Sequence, residues 1–185
     1  MKLYGSVTSP FVRHCRIALM QGGLDWELVE IDAAESGAKS PTKKVPFLQD
    51  GDVNLADSCS ILKYAREKSG SEFFPDVQDY DVFCMANTAI DASINLFLLQ
   101  NDGLDTSQSK YLGRQAARVE SALDSLDATV QKSDLELTDG IIRLACLLEW
   151  GVFRNRFSLD SRPGLQKVIE FANQDSVFQS TAIPA

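Results

Sequence analysis

Lys44-Val45-Pro46-Phe47-Leu48, with Asp57-Ser58 eleven residues beyond the proline, is the stretch that decides the fold. Proline has no N–H for a strand ladder, so Pro46 cannot sit inside a central strand. It stands instead at the entrance of one, since Phe47-Leu48 reads as the start of a strand. Gly51 to Ala56 then reads as a turn and a second strand, and Asp57-Ser58 opens a helix over Cys59 to Lys68.

Upstream, Lys2-Leu3-Tyr4-Gly5 reads as a strand, and Ser9-Pro10 is a helix start, with a hydroxyl at the N-cap and proline at the first helical position. Phe11, Cys15, Ala18, Leu19 and Gly22 follow at helical spacing, with Arg13 and Arg16 between them. Trp26 to Ile31 alternates like a strand. Residues 1–70 therefore read as βαβ followed by ββα.

In order along the chain stand Thr8-Ser9-Pro10-Phe11-Val12-Arg13, then SPTKKVP ending at Pro46, a hairpin, and LADSCSILKYA from Leu55. Carrying these four motifs at such spacing, the sequence resembles a cytosolic glutathione transferase, of the bacterial type that opens on TSPFVR. The resemblance implies a thioredoxin-like first domain (βαβ-ββα), in which Pro46 is cis and Val45 offers its backbone N–H and C=O to a bound thiol peptide.

From Gly70 to Asp79 the chain turns polar and contains Pro75, which marks a linker over residues 71–79. The remainder, 80–185, reads as helices only. Val82 to Leu99 is a long apolar helix ended by Asn101-Asp102-Gly103. Leu112, Ala116, Val119, Leu123, Leu126 and Val130 form one apolar stripe. Thr138 caps an almost wholly apolar helix, Ile141 to Trp150, and Leu165, Val168, Ile169 and Ala172 mark another after Arg162-Pro163-Gly164. Strand–helix alternation followed by helices gives two domains of different class, an α/β unit and an all-α bundle. The helical half also resembles the transferases. One departure is Ile141, which stands where the family's capping box has a carboxylate three residues after the cap.

With 185 residues, 44% of them apolar, the chain has the makings of a packed core, and a formal net charge of −8 argues against nucleic acid and anionic membrane as partners. By this reading no apolar run approaches the roughly 20 residues of a membrane span. The first residues run directly into a strand without a signal-peptide layout, so a cytoplasmic location is expected. Cys15, Cys59, Cys84 and Cys146 are dispersed and there is one histidine, His14, so neither a disulfide framework nor a metal site is expected.

The chemistry falls to three places. Ser9 is an N-cap on any reading, and its hydroxyl faces the positive end of a helix. With no base adjacent in sequence it is a poor nucleophile but a good donor to a thiolate, and a thiol with a free pKa near 8.5 would be pulled lower there. The resemblance implies that this thiol belongs to glutathione, with Thr8 as an alternative donor. Asp57-Ser58 either caps the following helix only or, as the resemblance implies, takes the γ-glutamyl group: Asp57 the ammonium, Ser58 and helix N–H groups the α-carboxylate. Asp57 is shorter than the family's commoner glutamate. Lys44, with Lys43 beside it, is either a solvated loop residue or the partner of the glycyl carboxylate, and Val45 pairs through its backbone. Phe11 lines the second-substrate pocket or belongs to the core. His14 is expected to be partly exposed and Cys15 to be core.

The resemblance thus implies glutathione as co-substrate, a small electrophile as second substrate, no metal and a homodimer. The expected reaction is conjugation of the glutathione thiolate to the electrophile. A glutathione-binding regulator without catalysis, or a glutathione-dependent isomerase, dehalogenase or reductase, stays open on the same fold. Serine at position 9, where disulfide exchange needs cysteine, weighs against the reductase.

Overall fold

The chain forms β1 (Lys2–Gly5), α1 (Pro10–Gln21), β2 (Glu27–Glu30), α2 (Ala33–Lys39), β3 (Phe47–Asp50), β4 (Val53–Leu55), α3 (Ser58–Ser69), α4 (Val77–Asn101), a 3-10 turn at Thr106–Gln108, α5 (Lys110–Gln131), α6 (Asp139–Phe153), α7 (Pro163–Ala172) and α8 (Ser176–Ser180). The structure, a computed structural model, describes residues 1–74 and 76–184. Pro75, the centre of the expected linker, lies outside them. Packing divides the chain into two units, Met1–Pro75 with Gln174–Ala185, and Asp76–Asn173.

The first unit is a four-stranded sheet in the order β2-β1-β3-β4, with β1 parallel to β2 and the other pairs antiparallel. This is the thioredoxin-like arrangement. Leu3 pairs with Leu48 across β1 and β3, and both are fully buried. Beside them Tyr4 stacks on Phe47, ring centroids 4.4 Å apart and nearly parallel at 8°. A Cβ on Gly5 would lie 2.4 Å from a Val12 methyl, so α1 passes directly against the end of β1 and only glycine fits there.

Two elements of this unit go beyond the sequence reading. One is α2, whose capping box is complete: Asp32 accepts from the Glu35 N–H at 2.8 Å while Glu35 accepts from the Asp32 N–H at 3.3 Å. The other is α8, which the sequence reading places within the helical domain over 80–185 but which packs with the first unit. Phe178 is fully buried with the Arg13 guanidinium 4.1 Å above its ring. Arg13 also donates to Thr181 Oγ1 and to Phe178 O, each at 3.3 Å. Covered by α3 and α8, α1 buries its charged face too: Arg13 and His14 are both within 1% of full burial, so His14 is not the partly exposed residue expected. Cys15 is core as expected.

In the second unit α6 is buried along most of its length and is central, as expected. The stripe on α5 holds from Val119 to Val130, whereas Ala116 is exposed and Gln115 is buried in its first turns. By length and composition α4 is long and apolar enough to cross a membrane, contrary to the expectation that no run approaches this. Here it packs against α5 and α6, burying Phe83, Ala86, Ala89, Ile90 and Leu96. Two helix starts are satisfied by carboxylates from other helices. Asp79 of α4 accepts from Thr138 and Gly140 at the start of α6, and Asp127 of α5 accepts from the Leu165 N–H of α7 at 3.0 Å.

Candidate functional site

Strand register brings the three predicted segments of the first unit to one end of the sheet. Tyr4 pairs with Phe47, and Leu48 pairs with Leu55. The end of β1, the start of β3 and the end of β4 therefore lie side by side. Ser6–Ser9, Lys44–Pro46 and Ala56–Ser58 extend from those ends. Thr42 Oγ1 donates to Ala56 O at 3.3 Å, tying the loop before Pro46 to the residue before Asp57. That tie between loops has no local sequence signature.

Ser9 caps α1 with extended backbone, and its Oγ accepts from the Val12 N–H at 3.3 Å. Acting there as an acceptor, the hydroxyl keeps its own proton uncommitted. Thr8 differs: its hydroxyl lies 3.1 Å from Ser6 Oγ, and its N–H donates to the same oxygen at 3.3 Å. The Ser6 contribution is invisible in the TSPFVR motif because Ser6 precedes it. Phe11, in the first turn of α1, is half-buried.

The Val45-Pro46 peptide is cis, as expected. Pro46 is buried, Val45 half-buried and Lys44 exposed. Lys43 has φ 54°, and its N–H donates to Ser40 O at 3.0 Å, which turns the loop just before the proline. Among the described residues neither lysine ammonium has a side-chain partner.

Asp57 is exposed and caps α3, with Oδ1 accepting from the Cys59 N–H at 2.8 Å. Its second carboxylate oxygen has no partner among the described residues. Ser58 is only 4% exposed, and its carbonyl accepts from Cys15 Sγ at 3.9 Å, so the pair divides into an open carboxylate and a nearly closed serine. The arrangement is thus one end of the sheet with an uncommitted hydroxyl at one helix start, a half-committed carboxylate at another and a loop ammonium between. Such a set can hold an extended zwitterionic peptide and donate a hydrogen bond to it. Among the described residues no group of three or more metal-binding side chains gathers anywhere.

Residues 3–73 match the family model of the glutathione S-transferase N-terminal domain. Glutathione S-transferase 1 of Zea mays is 43% identical over 79 residues, which is 39% of this chain and 37% of that protein. The matched region spans between 33% and 39% of the length of the curated relatives. The fold is similar to the crystal structure of a glutathione S-transferase from Methylobacillus flagellatus with glutathione bound (TM-score 0.86, 20% identity, 99% of each chain). It is also similar to maleyl pyruvate isomerase, a bacterial zeta-class protein (TM-score 0.79, 18% identity, 98% of this chain and 96% of that one). Residues 3–73 are thus similar to glutathione S-transferase N-terminal domains, and the chain shares its fold with solved glutathione S-transferases.

Proposed function

We propose that the protein is an enzyme that binds glutathione at this end of the sheet and conjugates its thiolate to a small electrophile. The observation that carries this reading is the uncommitted Ser9 proton at the start of α1. Donated to the cysteinyl sulfur, it stabilises thiolate over thiol, and the positive end of α1 acts in the same direction. Val45 pairs its backbone with the cysteinyl unit beside the cis-proline. The free oxygen of Asp57 takes the γ-glutamyl ammonium, Ser58 and the α3 N–H groups take its α-carboxylate, and Lys44 takes the glycyl carboxylate. Phe11 is assigned to the electrophile's surroundings. Nucleophile and leaving-group chemistry then belong to the two substrates. The protein supplies position and a lowered thiol pKa. A homodimer in the cytoplasm is part of the same proposal.

A second reading, a glutathione-dependent isomerase, is favoured by the fold similarity to maleyl pyruvate isomerase. It uses the same thiolate, added to and then released from a double bond. The testing experiment has two steps. Retention on immobilised glutathione, reversed by free glutathione, separates a binding protein from none. Turnover of aryl halides against cis-enediones then separates conjugation from isomerisation. Retention without turnover of either class would indicate a binding protein that has lost catalysis.

A further inference from the structure

At the far end of α6 two arginines converge on one aromatic ring. Arg154 lies 5.2 Å from the Phe97 ring centroid and 4.7 Å from that of Phe153, and Arg156 lies 5.8 Å from the Phe97 centroid. Trp150 meets Phe97 edge-on at 5.9 Å, which fixes the ring from within the helical unit.

The backbone that arranges this is a complete Schellman turn. Arg154 is the C-cap of α6, and Asn155 adopts φ 52°. The Arg156 N–H donates to Gly151 O at 2.8 Å and the Asn155 N–H to Val152 O at 3.0 Å. The left-handed residue folds Arg156 back toward the ring that Arg154 already covers. Two like charges thereby gather at one ring in a chain of net charge −8.

Cations are favoured at a helix C-terminus, which accounts for part of this. It does not account for the partners. Among the described residues neither guanidinium is paired with a carboxylate. Arg156 donates to the neutral Gln100 Oε1, and Arg154 Nε is buried with no hydrogen-bond partner. A guanidinium lying against a ring still has in-plane N–H groups, and these match a carboxylate fork. Phe153 and Val152 stand exposed in the same turn, giving an apolar surface beside the charge.

The geometry points to an anion-binding site at Arg154 and Arg156 for a small aromatic carboxylate, its ring against the exposed Phe153 and Val152 and its carboxylate on the guanidinium groups. The probe is 1-naphthoate, titrated calorimetrically into the full chain, with uncharged 1-naphthalenemethanol as comparison. Saturable binding of naphthoate is expected, about tenfold or more tighter than the alcohol and weakening as salt is raised. Arg154→Gln and Arg156→Gln should each weaken it about tenfold, as expected for loss of a charge-assisted pair. The Arg154→Lys, Arg156→Lys double variant keeps the charge, loses the fork and should fall between. Naphthoate bound no better than the alcohol by the wild-type chain overturns the site without recourse to any variant. Gln variants that unfold more easily yet bind naphthoate as the wild type does would reduce the pair to helix-end cations.

Discussion

Asp79 Oδ1 accepts hydrogen bonds from both the Thr138 hydroxyl and the Gly140 N–H, 59 and 61 residues further along the chain. Thr138 in turn caps α6 by accepting from the Ile141 N–H at 3.3 Å. Asp79 of α4 thus sets a carboxylate on the Gly140 N–H at the start of α6, while the Thr138 N–H, the donor a carboxylate at position 141 would take, goes to Glu136 O at 2.8 Å. Gly140 makes room for Asp79, since a Cβ there would lie 2.2 Å from Asp79 Oδ1 and 2.5 Å from its backbone oxygen. Gly140→Ala is expected to destabilise the protein by about 1–3 kcal/mol, the range for forced overpacking. Urea unfolding measures it, and an unchanged midpoint would mean that α4 does not press on the start of α6.

Burial raises the Asp79 carboxyl above its ordinary value of 3.8, opposed by the Thr138 and Gly140 hydrogen bonds. With a raised folded pKa, the folded chain holds this proton more tightly than the unfolded chain. Its contribution to stability is complete at low pH and falls as pH rises from about 3.8 through the higher folded value. Asp79→Asn removes that titration. Relative to the wild type, the variant should gain stability as pH rises across this window and show a constant difference above it. A constant difference at every pH would contradict the raised carboxyl.

Phe178 and Arg13 join α8 to α1 within the first unit. Phe178→Ala should cost about 3–5 kcal/mol of unfolding stability, as for other buried phenylalanines. A loss below about 1 kcal/mol would show that the last helix is not integral to that unit.

Much of the first unit was legible because its signals are local. Ser9-Pro10 marks a helix start and Asp57 a cap through bonds spanning two or three residues, and Pro46 marks a strand entrance because it has no N–H for a ladder. α2 was missed although Asp32 and Glu35 stand at capping-box spacing, because Ser36 and Gly37 interrupt a seven-residue helix. α8 was missed for a different reason: five residues carry no period, and Phe178 is held by Arg13 from 165 positions away. The caps at Asp79 and Asp127 are equally non-local. Within the candidate site the residue types were readable, but the near-closure of Ser58 and the sharing of the Thr8 hydroxyl with Ser6 depend on packing.

Asp57 serves as a helix cap and, in the proposed function, as a ligand for an ammonium group. Asp57→Ser separates the roles, because serine retains a capping oxygen and removes the charge. Glutathione affinity is expected to fall by about 1.5–3 kcal/mol, tenfold or more, while unfolding stability changes by only a few tenths. Full affinity in Asp57→Ser would leave the residue a cap and nothing more.

The most direct measurement is the pKa of the thiol of bound glutathione, followed by thiolate absorbance in the wild type, Ser9→Ala and Thr8→Ala. One hydrogen bond to a charged group is worth about 1.5–3 kcal/mol, equivalent to about one to two in pKa. Ser9→Ala should raise the bound thiol by that amount toward its free value near 8.5, with glutathione still held by its two ends. Thr8→Ala should leave it nearly unchanged, since that hydroxyl is shared with Ser6. A bound thiol with the same lowered pKa in Ser9→Ala as in the wild type would contradict the role proposed for Ser9.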